Sequence, residues 1–204
     1  MPYREPKDSK EDNSTNFDGL CKNIILTGLT GCGKTEVGKI LAQIIGWGFL
    51  DTDELIEKSK HKSPSKIIQT KGLPYFRNCE FEAISSLHFL QNHVISLGGG
   101  ALCEKKNRGK IMRMGLVVWL DVNPKIIVRR LLKNTLELKK RPLLTSSDQN
   151  NKEPDPQKLL EKLESLLIER HTYYKNSHLV MSDDYSSITI CAQKVYRLVT
   201  GRKL

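Results

Sequence analysis

The stretch Gly28-Leu29-Thr30-Gly31-Cys32-Gly33-Lys34-Thr35 fits the pattern G-x-x-x-x-G-K-[ST]. Chemistry accounts for each part of it. Glycines let the backbone wrap closely, so successive N–H groups point inward at phosphate oxygens, and a helix that follows turns its positive end toward the same anion. Lys34 is placed to bridge β- and γ-phosphates, and the Thr35 hydroxyl can ligate magnesium. The motif lies between the apolar run Asn23–Thr27 and a segment with apolar residues at helical spacing (Val37, Ile40, Leu41, Ile44). That strand–loop–helix setting is what the motif needs in order to work.

Further along, Asp51-Thr52-Asp53 closes a second short apolar run, which sends both carboxylates to a strand's carboxyl end. One can hold a magnesium shell while the other accepts the proton of a hydroxyl under attack; equally, one can cap the next helix. Gly98-Gly99-Gly100 follows a third run. Three glycines in a row are expensive to order, so they imply either close backbone approach to a ligand or a sharp strand-to-helix turn. Ser96, two residues earlier, could add a hydroxyl to the metal shell. Arg77 precedes Glu80 by three residues, the spacing at which a carboxylate holds a guanidinium and leaves other N–H donors for a substrate acid or, equally, forms a surface pair. Arg141 in Arg-Pro-Leu-Leu and Arg170 in Glu-Arg-His stand out only in company with the rest.

The elements that must carry these residues alternate. Strands are expected at Asn23–Thr27, 48–50, 93–97, Leu116–Asp121 and 179–181. Helices are expected at Lys34–Ile45, 54–58, 64–71, 76–91, Pro124–Lys133, 159–175 and 186–199. Such alternation predicts an α/β fold, a parallel sheet covered on both faces. At 204 residues and 38% hydrophobic, the chain has room for one domain with a real core, here 21–204. Residues 1–19 carry Arg4, Lys7 and Lys10 against Glu5, Asp8, Glu11, Asp12 and Asp18, a net −2. With no apolar stretch, 1–20 reads as a flexible polar extension rather than a signal or transit peptide. The stretch 145–158 is polar, holds Pro154 and Pro156, and reads as either a flap over a site or an inert loop.

Lys plus Arg is 33 against 23 Asp plus Glu, a formal charge of +10 that attracts anions. Only 6% of residues are aromatic, which disfavours a nucleic-acid platform and leaves phosphorylated small molecules. Five cysteines without a C-x-x-C pair argue against a disulfide framework or a cysteine zinc site, and fit a reducing, cytoplasmic setting. No run approaches the ~18 apolar residues of a membrane span.

Taken in order, Lys34/Thr35, Asp51/Asp53, Phe76-Arg77 with Glu80, Gly98-Gly99-Gly100, Arg141-Pro142-Leu143-Leu144 and Glu169-Arg170 before Tyr173-Tyr174 resemble the shikimate kinase family, over about 23 to 198. The resemblance implies a three-layer α/β/α fold with a five-stranded parallel sheet and a mobile lid at about 134–156. It implies ATP-dependent phosphorylation of the 3-hydroxyl of shikimate, in aromatic amino-acid (chorismate) biosynthesis, by a protein expected to be a monomer with ATP, shikimate and Mg2+ as its partners. Asp53, Lys34 and Arg141 would be catalytic. Asp53, Arg77, Gly99, Gly100 and Arg170 would hold shikimate, with the two arginines on its carboxylate. ATP would be bound by Gly31, Cys32, Gly33, Lys34, Thr35, Glu36, Arg130 and Arg141, with Arg129 the alternative to Arg130 against adenine. Thr35, Asp51 and Ser96 would organise magnesium. Two departures stand out: Leu73 and Pro74 follow Gly72 where the family has Glu, and the segment from Arg141 to Arg170 is longer than usual. Cys32 puts a thiol inside the phosphate loop, so thiol reagents are expected to block ATP. The competing readings are a gluconate or nucleoside monophosphate kinase and a non-catalytic homologue.

Overall fold

The computed structural model describes residues 21–134, 154–182 and 187–201, together with Leu138, Arg141 and Leu144. Five strands form one parallel sheet: β1 (Asn23–Thr27), β2 (Gly48–Asp51), β3 (His93–Ser96), β4 (Leu116–Asp121) and β5 (Leu179–Ser182). Their order across the sheet is β2-β3-β1-β4-β5. All four pairings are parallel. The helices are α1 (Lys34–Ile45), α2 (Thr52–Lys60), α3 (Pro64–Ser86), α4 (Lys105–Met114), α5 (Pro124–Lys133), α6 (Pro156–Tyr174) and α7 (Ile188–Thr200), with a 3-10 turn at Ala101–Cys103.

Every residue of central β1 is buried, as a strand covered on both faces must be. Because side chains alternate along a strand, Ile24 and Leu26 pack on one side with α1, α5, α6 and α7. Ile25 packs on the other side with the end of α3 and with α4. A smaller cluster of Ile56, Ile67, Phe76 and Cys79 ties α2 to α3. That cluster matters for the site, because Phe76 is locked inward and its neighbour Arg77 is fixed in position.

Local chemistry sets the helix ends. Ser63, Asn123, Asp155 and Ser187 each accept a hydrogen bond from a first-turn backbone N–H of α3, α5, α6 and α7. The polar stretch 145–158 therefore does not run unbroken to Lys158: Asp155 caps α6 and Pro156 takes its first turn, three residues before the start expected from apolar spacing. The helices expected at 64–71 and 76–91 abut as α3, kinked at Gly72 with φ 81° and ψ 165°. Pro74 then sits in the first turn of the second piece, where its missing N–H does no harm. α3 stops at Ser86 rather than at 91, because Leu87 N–H bonds back to Ile84 C=O and Leu90 N–H to Leu87 C=O in tight turns. The lid expected at about 134–156 falls mostly outside the described residues.

Candidate active site

The phosphate loop joins β1 to α1 at the carboxyl edge of the sheet. Gly33 heads α1 at φ 101° with no side-chain cap, a conformation that glycine adopts without strain and that leaves the first-turn N–H groups facing outward. Lys34 is only 8% exposed. Its ammonium donates to the Gly28 carbonyl at 3.0 Å and the Leu29 carbonyl at 2.9 Å, which folds the amine over the loop it serves. Gly31 and Gly33 complete the wrap. Glu36 points away, exposed, with its carboxylate 3.8 Å from Lys39, so only its backbone faces the loop side.

Cys32 is fully buried. That burial disfavours the thiol reaction expected there, although the sulfur lies 3.8 Å from the Lys34 ammonium. Of the two candidate arginines, Arg129 is exposed, whereas Arg130 is part-buried and donates from Nη1 to the Cys32 carbonyl at 3.5 Å. The structure thus puts Arg130 beside the phosphate loop. Ile188, at the start of α7, also reaches Gly33, a neighbour that nothing in its sequence surroundings signals.

Asp51 does two jobs. One carboxylate oxygen accepts from the Asp53 N–H at 2.9 Å and caps α2; the other accepts from the Thr35 hydroxyl at 2.7 Å. Ser96 lies buried beside it, in direct register with Asp51 across the β2–β3 pair. Thr35, Asp51 and Ser96 therefore bring hard oxygen donors together at the loop, a donor set suited to Mg2+. Among the described residues no group of three or more His, Cys, Asp or Glu could hold a metal alone. Phosphate oxygens would have to complete the shell, as magnesium nucleotide sites commonly arrange.

Asp53 is the second residue of α2, with Oδ1 buried and without a hydrogen-bond partner. Burial, reinforced by the charges of Asp51 and Glu80 and opposed by Lys34 and Arg141, pushes its carboxyl up to about 7. Arg141 is thus near enough for its charge to act on Asp53. Glu80 on α3 is also buried, its carboxyl raised by the same desolvation against the pull of Arg77, and its Oε1 lacks a partner. The other Glu80 oxygen accepts from Arg77 Nη1 at 2.5 Å, while Arg77 Nε lies 3.4 Å from Glu104. Two carboxylates hold Arg77 by different edges and leave Nη2 for a ligand.

The three glycines run between these groups. Gly98 N–H donates to the Thr52 hydroxyl at 2.9 Å, and Gly99 C=O accepts from the Tyr174 hydroxyl at 2.5 Å. Burial holds the Tyr174 phenol well above its ordinary range, so it stays a donor. On the same helix Arg170 is 95% buried with Nε unpartnered, and a β-carbon on Gly99 would stand 3.3 Å from its Nη1. Asp53, Arg77, Gly99, Gly100 and Arg170 are therefore brought together around one floor. Thr52 and Glu104 belong to the same constellation and were given no role from sequence, while Gly98 and Tyr174 were noted there only as parts of motifs. The spacing of Glu104 and Tyr174 from their partners is non-local, so only the fold brings them in.

A phosphate loop at the carboxyl edge of a five-stranded parallel sheet, facing a carboxylate and two arginines across a glycine floor, defines an α/β P-loop kinase acting on a small acidic acceptor. Comparison with known proteins agrees. The family model "Shikimate kinase" matches residues 30–200. A shikimate kinase of Caldanaerobacter subterraneus subsp. tengcongensis is 35% identical over 176 residues, 86% of this chain and 95% of that protein. One of Thermoanaerobacter pseudethanolicus is 37% identical over 169 residues, 83% and 90% of the two chains. Among solved structures, the shikimate kinase from Acinetobacter baumannii in complex with shikimate superposes with TM-score 0.75 at 32% identity, covering 90% of this chain and 95% of that one. The Bacteroides thetaiotaomicron shikimate kinase gives 0.74 at 27%, covering 88% and 98%. The chain belongs to the shikimate kinase family, and it is a kinase.

Proposed function

We propose that the chain transfers the γ-phosphoryl group of ATP to the 3-hydroxyl of shikimate, yielding shikimate 3-phosphate and ADP. The observation that carries this reading is the convergence of Asp53, the carboxylate-braced Arg77 and the buried Arg170 on the Gly98-Gly99-Gly100 floor, next to the phosphate loop. Arg77 and Arg170 take the acceptor's carboxylate, and the unpartnered oxygens of Asp53 and Glu80 accept from its ring hydroxyls. The backbone N–H groups of Gly31, Gly33, Lys34, Thr35 and Glu36 cradle the phosphates, the Cys32 N–H closing the loop on the Leu29 carbonyl at 3.2 Å, with Arg130 toward the base.

In the reaction, the 3-hydroxyl oxygen attacks the γ-phosphorus as its proton passes to Asp53 and the bond to the β-phosphate oxygen breaks. Lys34 and Arg141 neutralise charge on the moving group, which is most of what phosphoryl transfer asks of a protein. Magnesium, held through Thr35, Asp51 and Ser96, would supply further charge neutralisation on the phosphates. Five cysteines without a C-x-x-C pair fit a reducing, cytoplasmic setting, and the chain is read as a monomeric enzyme of chorismate biosynthesis.

The test is ADP release from Mg-ATP with shikimate, gluconate or CMP as acceptor, with Asp53→Asn run alongside. Saturable turnover with shikimate alone, lost in the variant, is expected. Turnover with gluconate or CMP instead would overturn the acceptor, and ATP binding without turnover would point to a non-catalytic homologue.

A further inference from the structure

The two arginines that face the acceptor stand on different elements, Arg77 on α3 and Arg170 on α6. Something must fix the distance between them. Arg77 is braced by Glu104, which lies just before α4 and whose backbone carbonyl accepts from the Arg108 N–H at 3.1 Å. The Arg108 side chain donates from Nη2 to the Cys103 carbonyl at 3.3 Å. Cys103 N–H in turn bonds the Gly100 carbonyl at 3.0 Å, so this turn closes the glycine floor. The same guanidinium lies 4.5 Å from the centroid of the Tyr173 ring, within range of a cation–π contact. Tyr173 is three residues from Arg170 on the same face of α6, and its neighbour Tyr174 holds the Gly99 carbonyl.

We infer that Arg108 is a positioning residue for acceptor binding, a clasp joining the turn that braces Arg77 to the helix that carries Arg170. It acts through its neighbours. Its backbone secures the Glu104 turn, its fork secures Cys103, and its planar face secures Tyr173. No other described cation stands over an aromatic ring of α6. The role rests on the reading that Arg77 and Arg170 grip the acceptor's carboxylate. None of the Arg108 contacts above reaches the phosphate loop, which joins β1 to α1, or Arg130 on α5; the glycine floor meets that loop at Gly99, beside the Gly28 carbonyl and the Thr30 N–H.

The consequence is a split between substrates. Arg108→Met keeps the aliphatic stem and removes the fork and the charge. It is expected to raise KM for shikimate about tenfold, the scale set by one lost cation–π and one charged hydrogen bond, with KM for ATP within about twofold of the native value. Arg108→Lys keeps a cation over Tyr173 and is expected to recover most of the loss. Steady-state kinetics for both substrates, with thermal melts of each variant, read this out. An unchanged KM for shikimate overturns the inference. So does a parallel loss in both KM values and in melting temperature, which marks a merely structural residue, and so does a lysine no better than methionine. Tyr173→Leu removes the far end of the clasp and must give the same split, which covers the case that Arg108→Met fails to fold. Native protein that does not phosphorylate shikimate overturns both the functional reading and this inference. Native turnover with an unaffected variant overturns the inference alone.

Discussion

Asp53 and Glu80 aim unpartnered carboxylate oxygens at the same glycine: a β-carbon on Gly98 would stand 2.9 Å from Asp53 Oδ1 and 2.6 Å from Glu80 Oε1. Two buried carboxyl groups whose facing oxygens lack donors are an unfavourable arrangement for the free protein. It persists because it is where donors from an acceptor would arrive. The stability consequence has a definite sign. Folded, Asp53 keeps its proton up to about pH 7; unfolded, it loses it near 3.8. Between those values the folded state binds more protons, so this group's contribution falls as pH rises through the window and is lowest above about 7. Asp53→Asn removes the buried charge. It is expected to stabilise the protein by up to about 4 kcal/mol at pH 8 and by no more than about 1.5 kcal/mol at pH 5, on the scale of about 1.4 kcal/mol per tenfold change in proton affinity. Urea melts at the two pH values check it; a gain of equal size at both would sink the account.

The same carboxyl governs rate. Asp53 accepts a proton only when ionised, so kcat/KM for shikimate is expected to fall about tenfold per pH unit below an inflection near 7. Because the charge of Glu80 helps raise that value, Glu80→Gln should shift the inflection toward acid even as it lowers activity by loosening Arg77. A pH profile of each protein decides it, and an inflection that stays put in the variant would mean that Glu80 does not act on Asp53.

Gly100 has an ordinary backbone conformation, φ −105°, so alanine there meets no strain from the chain itself. Its β-carbon would stand 2.6 Å from Arg77 Nη1 and 2.7 Å from Cζ. Arg77 has little freedom to retreat, being held by Glu80 and Glu104. Gly100→Ala is therefore expected to raise KM for shikimate at least about tenfold with ATP affinity nearly unchanged, at a cost of about 1–3 kcal/mol in stability. Calorimetric titration of each ligand separates this from a general loss of structure.

Thiol chemistry is expected to spare the phosphate loop. Cys32, Cys79 and Cys191 are buried, whereas Cys21 and Cys103 are half-buried with thiols pushed up by burial. Brief alkylation of native protein at pH 8, read by peptide mass, should label Cys21 and Cys103 first and leave ATP binding intact. Early labelling of Cys32 would restore the expectation drawn from sequence.

What the sequence made legible was what is local. The phosphate loop is a contiguous motif, and apolar periodicity around it placed β1, α1 and the parallel sheet because burial on both faces leaves that pattern. Arg77 with Glu80 is a one-turn spacing. Glu104 on Arg77, Tyr174 on Gly99 and Thr52 on Gly98 are not, since each joins separate elements and no window along the chain contains both partners. The start of α6 was missed for a different reason. Asp155-Pro156 is a polar pair that reads as loop, although the same pair caps and opens a helix. The buried state of Cys32 depends on which way one side chain turns within a loop, which residue type does not encode.

Asp51 offers the sharpest separation of structure from chemistry, because the cap expected from sequence is observed and the oxygen left over meets Thr35, the partner proposed for the magnesium shell. One oxygen caps α2 and the other receives the Thr35 hydroxyl. Asparagine caps a helix about as well as aspartate, so Asp51→Asn should keep the bond from the Asp53 N–H and leave stability within about 0.5 kcal/mol. Its amide nitrogen, however, cannot replace the second carboxylate oxygen as a hard, anionic donor. Activity is expected to fall at least about a hundredfold, with the residual rate demanding more magnesium, a loss of the size seen when one electrostatic contact at a reacting phosphate or oxyanion is removed. Asp51→Ala loses both functions and should also destabilise the fold by about 1 kcal/mol. Measuring melts and magnesium-dependent turnover on the pair decides the matter. If asparagine retains full activity, Asp51 is only a cap; if asparagine destabilises as much as alanine, the cap is not what the second oxygen leaves behind.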